Sequence, residues 1–172
     1  KNLSNFYFQK GDSESAIKVI NKAPQSKNTP HWFFLTSLKL NILEKNWDDI
    51  LKAIKNIEKY TKISKLDIKH IKSRIYLFKA LEYNNEDNNK DFKYIDESLK
   101  NDPSFAPAII FKAKLLYSVN DNLAFNFIKK AWKKFSHPDI ADYVTQIHAN
   151  KPKNELLKTI KALTKLNNNI FI

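Results

Sequence analysis

The 172-residue chain contains no cysteine and a single glycine, Gly11. Without thiols there is no disulfide, no thiolate nucleophile and no zinc site of the cysteine type, and no redox compartment is implied. One glycine is too few for phosphate-cradling loops or for a fold rich in tight turns. Arginine is nearly absent too: Arg74 stands alone against a formal charge of +12. The forked guanidinium that reads guanine or clamps phosphate is therefore almost missing, and the lysines are interleaved with glutamate and asparagine. The joint excess of Lys, Asn, Ile and Phe reads as the coding bias of an AT-rich genome, so no nucleic-acid partner is expected. No apolar run reaches the roughly 18 residues needed to span a bilayer, and no basic head with an apolar body marks a signal peptide. The chain opens on Lys1, so it is read as an excised soluble piece of a longer protein, with any membrane anchor outside it.

What is present is material for helices. Hydrophobic residues make up 42% and aromatics 13% of the chain, enough for a core, and Lys-, Glu- and Leu-rich periodic stretches favour α-helix. The segment from Asp12 to Pro24 places Ala16, Ile20 and Ala23 on one face, because seven residues make two helical turns. Ala124, Ile128 and Ala131 repeat that spacing, with Pro138 a few residues past the helix end. Two intermediate copies are expected in the 108 residues between Ala16 and Ala124, one opening at Ile50 and one at Asp91. Their spacings of 34, 41 and 33 residues put extra length near Lys62–Lys65. Each copy follows another amphipathic segment, and Pro103 closes the third unit.

Helix pairs of about 34 residues, with small residues on the second helix and proline after it, are the tetratricopeptide signature. Small residues let neighbouring helices approach closely, and no pair buries its apolar face alone, so pairs stack. The expected fold is all-α: one tetratricopeptide-like, right-handed α-solenoid domain of about five antiparallel helix pairs, in units near 2–24, 30–60, 65–103, 105–136 and 137–167. Ile50, Ile57 and Asp91 stand where small residues are expected, so the middle units should be irregular.

From Ser98 onward a narrower likeness emerges. Phe105-Ala106-Pro107-Ala108 opens a helix, and Ala131-Trp132-Lys133-Lys134-Phe135-Ser136-His137-Pro138-Asp139-Ile140-Ala141-Asp142-Tyr143 closes one and opens the next. Together with the Leu-rich stretch from Leu156 to Leu166, this resembles the HemY family of bacterial membrane-anchored tetratricopeptide proteins. Ser136 replaces the first proline of that family's junction. The resemblance spans about residues 98–169. It implies a non-enzymatic scaffold at the bacterial inner membrane, on its cytoplasmic face. The implied partners are proteins, either enzymes of tetrapyrrole metabolism or membrane proteins, in a setting linked to haem biosynthesis.

Other readings of the same residues are weaker. His137-Pro138-Asp139 matches the J-domain tripeptide, but Ser136 and Asp139 read as a capping box with Pro138 in the first turn. His31, His70, His137 and His148 show no metal-ligand pairing, and no metal site is expected. No nucleophile lies beside a base, no phosphate loop occurs, and no catalytic residue is assigned. Trp47 and Trp132 read as core. Trp32, with Leu35 and Lys39, is placed on a groove-facing wall, aligned with Ser73, Tyr76 and Ala80 of the next unit, a mixture suited to a peptide with apolar anchors and acidic flanks. Two alternatives stay open: a haem or porphyrin carrier with the ligand between Trp32 and Tyr76, and a basic adaptor for nucleic acid or anionic lipid.

Overall fold

The computed structural model describes residues 7, 9–23, 26, 28–83, 88–147 and 153–165. Nine helices are seen among the described residues: α1 (Ser13–Lys22), α2 (His31–Leu43), α3 (Trp47–Tyr60), α4 (Lys65–Tyr83), α5 (Asn88–Asn101), α6 (Ala106–Val119), α7 (Asp121–Lys134), α8 (Pro138–Ile147) and α9 (Lys153–Lys165). The expected first helix near residues 2–10, the turn beyond Tyr83, His148 and the tail after Lys165 lie wholly or mostly outside the described residues. The chain divides into two compact units, Lys1–Lys72 and Ser73–Ile172, with α4 running through the division.

In the first unit, Asp12 caps α1 by accepting the Ser15 N–H at 3.0 Å, and hydrogen bonding from Ser15 holds the Asp12 carboxyl below its ordinary range. Gly11 precedes the cap at φ +76°, a left-handed conformation natural to glycine. Ala16, Ile17 and Ile20 bury themselves against Leu40, with Tyr7 and Phe33 packed at the margin. Helices α2 and α3 run antiparallel across the three-residue turn Glu44–Asn46. Ile50, Ala53, Ile54 and Ile57 form the buried stripe of α3 at helical spacing. At its far end Tyr60 stacks on Phe34, with ring centroids 5.9 Å apart. Glu58 accepts from the Lys72 ammonium at 2.8 Å, pinning α3 to the start of α4 and keeping the Glu58 carboxyl below its usual range.

In the second unit, α4 and α5 are antiparallel, since Ser73 meets Ser98 while Tyr83 meets Tyr94. The Ser98 hydroxyl donates to the Ser73 carbonyl at 2.7 Å and lies 3.1 Å from the Ser73 hydroxyl, both side chains buried. Leu77, Ala80 and Ile95 pack with Ala108, Phe111 and Leu115 of α6. At the turn into α6, the Asp102 carboxylate accepts from the Ser104 N–H at 3.1 Å and from its hydroxyl at 2.7 Å. One residue, Asn120, both ends α6 and caps α7, its side-chain oxygen accepting from the N–H groups of Asn122 and Leu123. Beyond it Ile109, Ala113, Ile128, Trp132, Ile140, Val144 and Leu163 share one core. The Trp132 indole N–H donates to the Leu163 carbonyl at 3.0 Å, tying α7 to α9.

The repeat positions can be compared helix by helix. Ala16 and Ala124 are buried, Ala23 and Ala131 half-buried, and Pro103 and Pro138 exposed in the turns that end α5 and open α8. Pro138 is the first residue of α8, as expected. The cap differs from the expected Ser136 capping box: the His137 Nδ1 accepts the Asp139 N–H at 3.2 Å. His137 is the residue just before the helix, the position from which a side chain reaches the second helical N–H.

Candidate functional site

Helix α2 sits on the core through Phe34, Ser37, Leu38, Leu40 and Asn41. The remaining arc carries Trp32, Leu35, Lys39, Ile42 and Leu43. At 100° per residue these five fall within about 100° of one another. Leu35 is 43% exposed, Ile42 37% and Leu43 56%, while Trp32 is half-buried, edge-to-face on Phe33 at 6.0 Å. Lys39 is exposed in the middle of the stripe. Three members were anticipated from sequence, namely Trp32, Leu35 and Lys39. Ile42 and Leu43 were missed, although they continue the same i+3 and i+4 series.

The second unit shows a shorter stripe on α4. Phe78 is 55% and Leu81 44% exposed, one turn apart, with the exposed Arg74 one turn before Phe78. The Arg74 guanidinium lies over the Phe105 ring, 5.3 Å from its centroid. Tyr76 is half-buried.

Ser73, expected on the groove wall, is buried with its hydroxyl against Ser98, so it is a packing residue. The cause is a register slip of two residues. Burial aligns Phe34, Leu38 and Asn41 of α2 with Ser73, Leu77 and Ala80 of α4, an offset of 39 where the second helices suggested 41. Two residues turn an α-helix by about 200°, enough to exchange the inner and outer faces. In the corrected register Leu35, Lys39 and Ile42 correspond to Arg74, Phe78 and Leu81. Trp32 and Tyr76 belong to different units.

No group of three or more His, Asp or Glu side chains is placed to hold a metal ion among the described residues. No helix among them is long and apolar enough to cross a membrane. What the α2 stripe offers is contact area: large apolar side chains on a rigid helix, with one ammonium at its centre.

No protein-family model matches the chain, and no curated protein does either. Among solved structures it is similar to the crystal structure of MamA, with 13% identity, 98% of this chain and 96% of that chain covered, and a TM-score of 0.46. It is also similar to a thermophilic TPR protein of Thermus thermophilus, TTC0263, at 13% identity, covering 97% and 89% of the two chains with a TM-score of 0.40. The helices themselves establish the architecture: an all-α series of tetratricopeptide-like helix pairs.

Proposed function

We propose that the protein is a non-enzymatic scaffold that binds other proteins through the exposed faces of its first helices. The observation that carries this is the α2 stripe, which leaves Leu35, Ile42 and Leu43 partly exposed on a helix whose opposite face is buried. Exposed large apolar residues gathered on one face are the surface feature that marks a partner site. Peptide partners reach such a surface as helices or extended segments with apolar anchors. The finer assignment is a HemY-like role at the cytoplasmic face of the bacterial inner membrane, with enzymes of tetrapyrrole metabolism or membrane proteins as partners. It is supported by the resemblance of the segments Phe105–Ala108 and Ala131–Tyr143.

A photo-crosslinking amino acid at Lys39, in cells that make the full protein, is expected to give one or a few discrete protein adducts. The same group at Lys55, exposed on α3, is expected to give none. Leu35→Glu combined with Ile42→Glu should abolish the Lys39 adduct with only a modest fall in the thermal melt, since both side chains are partly exposed. Adducts that are indifferent to this double substitution would overturn the proposal, and their mass-spectrometric identity tests the tetrapyrrole assignment.

A further inference from the structure

A second surface lies on α7, where the motif alanine Ala131 is only half-buried. Ala131 stands one turn after Phe127 and four residues before Phe135, which ends the helix, and the three line one groove. Its small side chain leaves a groove between the two rings, floored by Leu99 and Pro103 from the end of α5 and by Ile109 of α6, with a volume of about 290 Å³. That volume is at the lower limit for small-molecule clefts, about 300 Å³, so it suits one or two large side chains of a bigger partner. Three lysines line it. Lys112 is committed inside the protein, paired with Asp96 and lying over the Phe127 ring at 5.1 Å. Lys130 and Lys134 are exposed, and no carboxylate among the described residues lines the groove beside them. They stand one helical turn apart, with ammonium groups that make no ion pair among the described residues.

We infer that this groove docks an acidic amphipathic helix of a partner protein. Apolar side chains of that helix would fill the space over Ala131, and two of its carboxylates, one turn apart, would pair with Lys130 and Lys134. Charges spaced i and i+4 on a partner helix repeat about every 6 Å, the same interval that separates the two lysines along α7. From Phe127 to Phe135 the groove extends for about 12 Å, two turns of helix. A concave apolar floor fits an inserted side chain, whereas an anionic bilayer presents a flat charged surface, so the peptide is the favoured occupant. This site is separate from the α2 stripe and goes beyond the reading given for that surface.

The test uses the full chain and a fluorescein-labelled designed 16-residue amphipathic helix, with leucines on one face and a glutamate pair at i and i+4 beside them, read by anisotropy. Saturable binding is expected. Lys130→Glu with Lys134→Glu should weaken it about tenfold, equivalent to about 1.4 kcal/mol. A peptide with the glutamate pair changed to lysine should bind that variant as the original peptide binds the unaltered chain. Ala131→Leu, which fills the groove without changing charge, should also weaken binding. Lys55→Glu with Lys62→Glu, an equal charge change on the first unit, should shift affinity less than twofold. Equal weakening by this control, no rescue by the lysine peptide, or no saturable peptide binding alongside Lys130/Lys134-dependent binding to phosphatidylglycerol vesicles would each overturn the inference. Loss of peptide binding in the Leu35→Glu, Ile42→Glu variant would move the peptide to α2 and leave the scaffold proposal standing.

Discussion

Lys45 is the one non-glycine residue with a left-handed backbone among the described residues. It sits at φ +54°, just past the end of α2, where its N–H bonds the Ile42 carbonyl at 3.1 Å and the next N–H, of Asn46, reaches the Asn41 carbonyl at 2.9 Å. That pair of bonds is the Schellman closure, whose left-handed residue is ordinarily glycine because a Cβ costs about 1 kcal/mol there. A chain with one glycine places it at Gly11 and closes α2 with a lysine instead. Lys45→Gly is expected to stabilise the first unit by about 0.5–1 kcal/mol in urea unfolding, with no change in the surface exposed on unfolding. A loss of stability would mean that the lysine side chain contributes more than its backbone strain costs. The turn was legible from Asn46, but its geometry was not, because nothing in Glu44-Lys45-Asn46 announces a left-handed residue. Asn41 shows a similar limit. It is buried at the position where α4 and α6 carry Ala80 and Ala113, its amide donates to the Ser37 carbonyl at 2.8 Å, and its own side-chain oxygen is buried without a partner among the described residues.

At the scale of the helix, the spacing that revealed the repeat also reports the packing. The triplets 16/20/23, 50/54/57, 91/95/98 and 124/128/131 each begin with two buried residues, whatever their chemistry. Asp91 and Ser98 thus fill places that are alanine in α1 and α7, and Ile50 and Ile57 fill them in α3. Second helices were legible because four copies share one period. First helices were less so, since Ala80 and Asp91 are eleven residues apart where Asn41 and Ile50 are nine, and those two extra residues between the first and second helix moved the sequence register. The third position of the triplet separates two outcomes for one kind of substitution. Ala124 is 1% exposed, so Ala124→Leu should overpack its surroundings and cost about 1–3 kcal/mol. Ala131 reads from sequence as a close-contact position too, but its side chain borders an open groove, so Ala131→Leu should leave the thermal melt close to that of the unaltered chain. Equal losses at both positions would show that the groove is closed in solution.

For the whole molecule, the question is whether a charge of +12 is itself a function. Some described ion pairs lie within one helix, such as Lys18 with Glu14 at 2.6 Å and Lys52 with Asp49 at 2.8 Å, others join neighbouring helices, as Lys72 with Glu58 and Lys112 with Asp96 do, and the excess of lysine over carboxylate stays unbalanced. Lysines spread over both units attract any polyanion without geometric selection, and the single arginine lies over the ring of Phe105. Attraction of that kind is released by salt, because each neutralised phosphate returns counterions to solution. A single-stranded oligonucleotide should therefore bind with no sequence preference at about 50 mM NaCl and lose at least about a hundredfold in affinity by about 200 mM. Over the same range the designed acidic helix should weaken far less, since part of its affinity comes from apolar contact over Ala131 that salt does not screen. Gel shift and anisotropy at matched salt concentrations compare the two directly. An oligonucleotide that stays bound at the higher salt while the helix dissociates would reverse the order of the readings and make the protein a basic adaptor.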